Sequence, residues 1–195
     1  IDSGTLEGLN NAIASFDGKP FDLILHTPGG VIFYTQILSK IIKEYGNSVR
    51  CFVPYYAMSG GTMLALSCTE IFMGNFACLG PVDPQVGSLF GYGSAKSWKE
   101  VLRRKGRKAS DSSIQYAFMG EQYTKTIKDN LKYALSDKIS DEQKMEEATA
   151  FLTSGTVEHG YQLSPIRLIE FGIKINPIEP EIQKLLTEVI NKKWI

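Results

Sequence analysis

Two glycine pairs, Thr27-Pro28-Gly29-Gly30 and Met58-Ser59-Gly60-Gly61, stand thirty residues apart in this 195-residue chain. Each closes a short apolar stretch and opens a helix-like one. The stretches before them, Phe21-Asp22-Leu23-Ile24-Leu25 and Val49 to Val53, are almost wholly apolar and read as strands buried on both faces. After the first pair, Ile37, Leu38, Ile41 and Ile42 repeat at helical spacing within Val31 to Tyr45, and Gly46 suits a C-terminal cap. After the second, Thr62 to about Thr69 reads as another helix. Strand, helix and strand in this succession predict an α/β fold of parallel strands joined by right-handed crossovers. At each corner, backbone without Cβ can approach a ligand, and the first N–H groups of the helix lack intrahelical partners.

The rest of the chain fits one domain over residues 1–195, with a helical insertion at about 96–151. Leu6 to Phe16 predicts a short helix, broken by Asp17-Gly18-Lys19-Pro20. Ile71 to Met73 and Ala77 to Leu79 are strand candidates. Gly80 to Gly93 is rich in Gly and Pro and predicts an irregular segment near the surface. Helices are expected at Trp98 to Lys105, Ser113 to Leu135 and Asp141 to Phe151, with Asp141 as N-cap and Lys144 and Glu147 exposed. A helix from Ser164-Pro165, a strand at Ile173 to Ile175 and a terminal helix from about Pro180 complete the reading.

Charge and cysteine usage narrow the function classes. Lys plus Arg equals Asp plus Glu at 21 each, so no global field draws nucleic acid or anionic lipid. The basic run Arg103 to Lys108 reads as a solvated helix end. Cys51, Cys68 and Cys78 are odd in number and lie in apolar surroundings, as buried thiols of a reducing, cytoplasmic compartment do. Their spacing does not suit zinc, and neither metal nor cofactor is expected. No uninterrupted apolar segment is long enough to cross a bilayer. The chain opens on Ile1 rather than Met, so it reads as a fragment or processed form, with any membrane anchor lying upstream.

Ser59, between small residues at a strand-to-helix turn, has an exposed hydroxyl at the positive end of a helix dipole. An ordinary N-cap serine would occupy the same place. The Gly29-Gly30 corner shifts the balance, because acyl transfer needs a nucleophile together with pre-aimed N–H donors. Serine also needs a proton acceptor. The chain offers two histidines, His26 and His159, or a desolvated lysine.

His26-Thr27-Pro28-Gly29-Gly30-Val31 and Ala57-Met58-Ser59-Gly60-Gly61 resemble the paired motifs of ClpP-like and signal-peptide-peptidase-A-like serine peptidases. The likeness extends to the serine dehydrogenase proteinase group through Ala57 to Thr62, Leu79-Gly80-Pro81-Val82-Asp83-Pro84-Gln85, and His159 through Glu170-Phe171-Gly172. It covers about Phe21 to Ile175 and is weak in the helical region. The resemblance implies a ClpP/crotonase-like spiral with a helical region toward the C-terminal half. It also implies a homo-oligomer, for which Trp98 to Phe151 is the natural contact surface, acting on a peptide or protein substrate.

In Clp-type peptidases a histidine stands about where Asp83 stands here, and His159 falls next to the place of their aspartate. The resemblance therefore implies that the two have exchanged places, giving Ser59, His159 and Asp83 as catalytic residues, with Gly29, Gly30 and Gly60 around the oxyanion. Triads are defined by geometry and role, so such an exchange is permissible. The signal-peptide-peptidase branch implies a Ser–Lys dyad instead, with Lys96, Lys99, Lys105 and Lys108 eligible by distance along the chain. A crotonase-type acyl-CoA enzyme and an inactive scaffold share the same expected fold.

Overall fold

In the computed structural model, which describes residues 1–88 and 91–192, four strands form one parallel sheet. These are β1 (Phe21–Ile24), β2 (Val49–Val53), β4 (Glu70–Met73) and β8 (Asn176–Pro177), in the order β1-β2-β4-β8. β1 and β2 run in step, Phe21 beside Val49 and Ile24 beside Phe52, so the two glycine corners leave the sheet at the same edge. A second small parallel pair, β3 (Tyr56–Ala57) with β5 (Cys78–Leu79), sits at that edge.

Two helices follow the corners, α2 (Ile32–Lys43) and α3 (Gly60–Ser67), and pack on each other. All eight residues of α3 are buried, which explains its uninterrupted apolar sequence. Leu38, Met63, Leu66 and Ile71 are buried almost completely, each contributing about 1.5–3 kcal/mol by leaving water. The buried hydroxyls of Ser39 and Ser67 pair at 2.6 Å across the two helices, so neither is left unsatisfied. On the other face of the sheet, α8 (Pro180–Lys192) lays Leu186 against Phe52 and Ile178.

The C-terminal half is helical, as expected, with α4 (Ala95–Lys105), α5 (Asp111–Leu135), α6 (Glu142–Thr153) and α7 (Pro165–Glu170). α5 crosses α2 and α3 and buries Ile127 and Leu131 in the common core. Asp141 caps α6, accepting from the Lys144 N–H at 2.9 Å. The first helix, α1 (Ser3–Ser15), starts three residues earlier than the apolar pattern marks, because Asp2 and Thr5 form a reciprocal capping box.

Three expectations need correction. β1 is not buried on both faces: Phe21 is buried, but Asp22 and Ile24 are exposed. Gly80 to Pro84 is buried rather than near the surface, and the following residues form an antiparallel hairpin of β6 (Gln85–Ser88) and β7 (Gly91–Ser94). Leu89 and Phe90, within the same expected irregular segment, lie outside the described residues. The last strand falls at Asn176–Pro177, not Ile173 to Ile175; Ile173 instead packs in the core. Among the described residues no helix is long and apolar enough to cross a membrane. Cys51 and Cys68 are buried and Cys78 half-buried, all as free thiols. Burial pushes the thiols of Cys51 and Cys78 up, which keeps them protonated and poor nucleophiles.

Candidate active site

The two corners touch because main-chain bonds tie them together. The Thr27 N–H donates to Tyr56 O at 3.2 Å, and the Met58 N–H donates to Thr27 O at 2.9 Å. Gly29 adopts φ 115°, and a Cβ there would come within 2.8 Å of the Ser59 Cβ, so only glycine fits. A Cβ on Gly60 would meet the Thr35 hydroxyl at 2.5 Å. Ser59 itself sits at φ 50°, ψ −115°, a region L-residues rarely adopt and one that costs about 1–3 kcal/mol. It occupies the N-cap position of α3 yet makes no capping hydrogen bond. A serine held in strain without using its oxygen for structure has that oxygen available for chemistry.

The Gly29 N–H is taken by the Thr27 hydroxyl at 3.1 Å. Gly30 and Gly60 donate to no acceptor among the described residues. Of the three glycines that the sequence offers for an oxyanion, these two keep open N–H groups, one at each corner.

Ser59 opens onto a cleft of about 590 Å³, solvent at its mouth included, lined also by Gly30, Gly60, Asp83, Gln85 and His159. His159 Nδ1 lies 2.8 Å from Asp83 Oδ1. The Asp83 side chain is 2% exposed, that of His159 36%, so the carboxylate is shielded while the ring faces the cleft. The second carboxylate oxygen accepts from Gln85 Nε2 at 2.7 Å, and the same amide nitrogen stands 3.3 Å from His159 Nδ1. A carboxylate at Nδ1 requires the ring proton on that nitrogen, which leaves Nε2 as a proton acceptor.

Residues distant in the chain meet here for a local reason. Leu79 and Leu163 exchange N–H···O bonds of 3.1 and 2.8 Å in an antiparallel bridge. Four residues after Leu79 stands Asp83, and four before Leu163 stands His159, so antiparallel register sets them opposite. The Val82 N–H donates to Leu152 O at 2.7 Å and pins the acidic segment to α6. The buried Thr62 hydroxyl donates toward Ala57 O and Gly80 O and accepts from the Gly80 N–H at 2.9 Å. It thereby clamps the start of α3 to the strand that leads to Asp83.

The other candidate bases lie elsewhere. His26 packs its ring against Tyr55 and Tyr56 and lines a different hollow, beside Leu23 and Leu25. Lys96, Lys99, Lys105 and Lys108 are exposed, Lys99 pairs with Glu121, and none of the four lines the cleft. No group of three His, Cys, Asp or Glu among the described residues could hold a metal ion. Sequence reasoning missed Gln85, Thr62 and Gln36, the last of which also lines the cleft. For Gln85 a signal existed: it lies two positions beyond Asp83, and alternate residues of extended chain share a face. Thr62 ends the motif Ala57 to Thr62, but taken by itself it resembles any first-turn threonine.

A hydroxyl on a strained corner, open amides at two corners and a shielded His–Asp pair across the cleft are the parts of a serine hydrolase. The chain belongs to the ClpP-like SDH-type serine proteinases, whose family model matches residues 5–193. Two uncharacterized proteins of Methanocaldococcus jannaschii are 38% and 34% identical over 164 and 171 residues, or 84% and 88% of this chain. The chain spans 54% and 58% of their lengths. Among solved structures, a mutant of the 1510-N membrane-bound stomatin-specific protease matches with TM-score 0.65 at 18% identity, over 96% of this chain and 78% of that one. ClpP1 from Listeria monocytogenes matches with TM-score 0.57 at 13% identity, over 92% and 86%. At these identities the structural likeness speaks for the fold alone.

Proposed function

We propose that this chain is a serine endopeptidase working through an acyl-enzyme on Ser59, with His159 as base and Asp83 as its orienting partner. The observation that carries the reading is the 2.8 Å His159–Asp83 pair lining the same cleft as the uncapped Ser59. As Ser59 Oγ bonds to the scissile carbonyl carbon, its proton passes to His159 Nε2. The carbonyl oxygen becomes an oxyanion held by the N–H groups of Gly30 and Gly60. His159 then gives the proton to the leaving amine as the C–N bond breaks. Water, deprotonated by the same imidazole, hydrolyses the ester and restores Ser59. Asp83 keeps the proton on Nδ1 and stabilises the imidazolium in both halves of the cycle.

A free serine hydroxyl favours this covalent route over crotonase-type chemistry, which needs no nucleophile at that corner. The substrates are extended peptides from unfolded or membrane-derived proteins, met by a homo-oligomer. The match to a family of serine proteinases supports a peptide or protein substrate, and the homo-oligomer is part of the same proposal. A fluorophosphonate probe should label the chain once, and Ser59→Ala should abolish the labelling. In His159→Ala, acylation should fall on the order of 10³-fold. Full labelling of Ser59→Ala, or undiminished acylation in His159→Ala, would overturn the assignment.

A further inference from the structure

We infer that Gln36 selects the residue whose carbonyl Ser59 attacks, favouring an uncharged acceptor side chain, glutamine above all, at that acyl-side position. The inference rests on the peptidase reading of the same cleft. α2 begins two residues past Gly30, so the wall beyond the oxyanion corner is built from its first turns, Ile32, Thr35 and Gln36. Met63 and Ile127, both almost fully buried, also back the cleft. Ile32, Met63 and Ile127 are apolar, and the Thr35 hydroxyl is committed to Val31 O at 3.1 Å.

Gln36 Nε2 is buried and has no hydrogen-bond partner among the described residues. Such a donor is costly to leave bare, and a ligand that satisfies it gains accordingly. The charged side chains in the cleft, Asp83 and His159, are paired with each other. An acyl-side Lys, Arg, Asp or Glu would therefore enter without a counter-charge. Methionine fits the apolar walls but leaves the amide unmet. A glutamine lays its methylenes along Ile32 and brings a carboxamide to a carboxamide. That pairing works whichever way the Gln36 amide is turned, since each group both donates and accepts.

The test compares kcat/KM for fluorogenic peptides identical except for Gln, Met or Glu on the acyl side. Fluorophosphonate labelling of Ser59 is scored separately. Glutamine should exceed methionine by about tenfold and glutamate by more. Gln36→Met should bring the Gln-to-Met ratio to about one, mainly by slowing the glutamine substrate. As a second readout, Ser59→Ala should bind a peptide ending in Gln about tenfold more tightly than one ending in Met, measured by calorimetry. A labelled enzyme with a wild-type ratio near one, or a ratio that Gln36→Met leaves unmoved, overturns the inference alone. Absence of labelling overturns the hydrolase reading, and the calorimetric ratio then decides for or against Gln36 by itself.

Discussion

Asp83 and His159, separated by 76 positions in the chain, meet at 2.8 Å because Leu79 and Leu163 form a bridge equidistant from both. The pair is thus built by backbone register and then finished by side chains. Asp83→Asn keeps the shape of the carboxylate but removes its charge and its demand for a proton on Nδ1. Peptide kcat should fall on the order of 10³-fold with KM little changed. A loss below tenfold in steady-state assays would show that His159 works without the carboxylate.

Gln85 supplies the only hydrogen bond to Asp83 Oδ2 among the described residues. Gln85→Leu should leave that oxygen bare and let the carboxylate turn, lowering kcat about tenfold. The low-field proton NMR signal of the His159 Nδ1–H should shift or broaden in parallel. An unmoved resonance together with wild-type kcat would reduce Gln85 to a surface contact.

The strained conformation of Ser59 predicts that stability and activity oppose each other at this residue. Ser59→Gly relieves the positive φ and should raise unfolding stability by about 1 kcal/mol, while Ser59→Ala keeps the Cβ and should not. Both variants lose cleavage. Urea midpoints compared at constant m-value separate the two; equal midpoints would mean that the corner holds no strain.

Asp137 offers a pH prediction away from the cleft. Burial alone would push its carboxyl up, but the ammonium groups of Lys43 and Lys138 hold it below the ordinary 3.8. Burial in turn pushes Lys138 below the usual lysine range. A carboxylate with a depressed native-state pKa adds stability above 3.8 and loses it as pH falls through the native value. The Asp137 side chain is half exposed, so solvent screens the pair, and Asp137→Asn should cost about 0.5–1 kcal/mol at neutral pH and nothing at the acid end, read from denaturation at several pH values. A cost independent of pH would exclude the charge as its origin.

Much of this architecture was legible in local signals. Phe21 to Leu25 and Val49 to Val53 are apolar enough to read as strands, and β2 is mostly buried as expected, but in β1 only Phe21 is buried while Asp22 and Ile24 are exposed. The hairpin was hidden because Gly87, Gly91 and Gly93 dilute the alternation that announces strands. The terminal strand was displaced because Ile173 serves the core, and pairing passed to Asn176 and Pro177. The two corners could be picked out from spacing alone, whereas Ser59 at the second read equally as an N-cap until the first corner was set beside it. Grouping Asp83 with His159 came from a family resemblance, since nothing near either residue tells which distant segment will lie alongside. The open amide of Gln36 belongs to the same category: helical spacing places its backbone, but only packing leaves its nitrogen without an acceptor.

The hydrogens offered by Gly30 and Gly60 belong to peptide linkages, and every amino acid except proline carries one. A survey that swaps side chains around the cleft would register the alcohol, the imidazole and the acid, yet pass over these donors. Removing one cleanly takes chemistry on the main chain, such as an ester in place of an amide introduced by ligation. In the proposed mechanism, that half of the apparatus would survive almost any mutation that leaves the two corners in place.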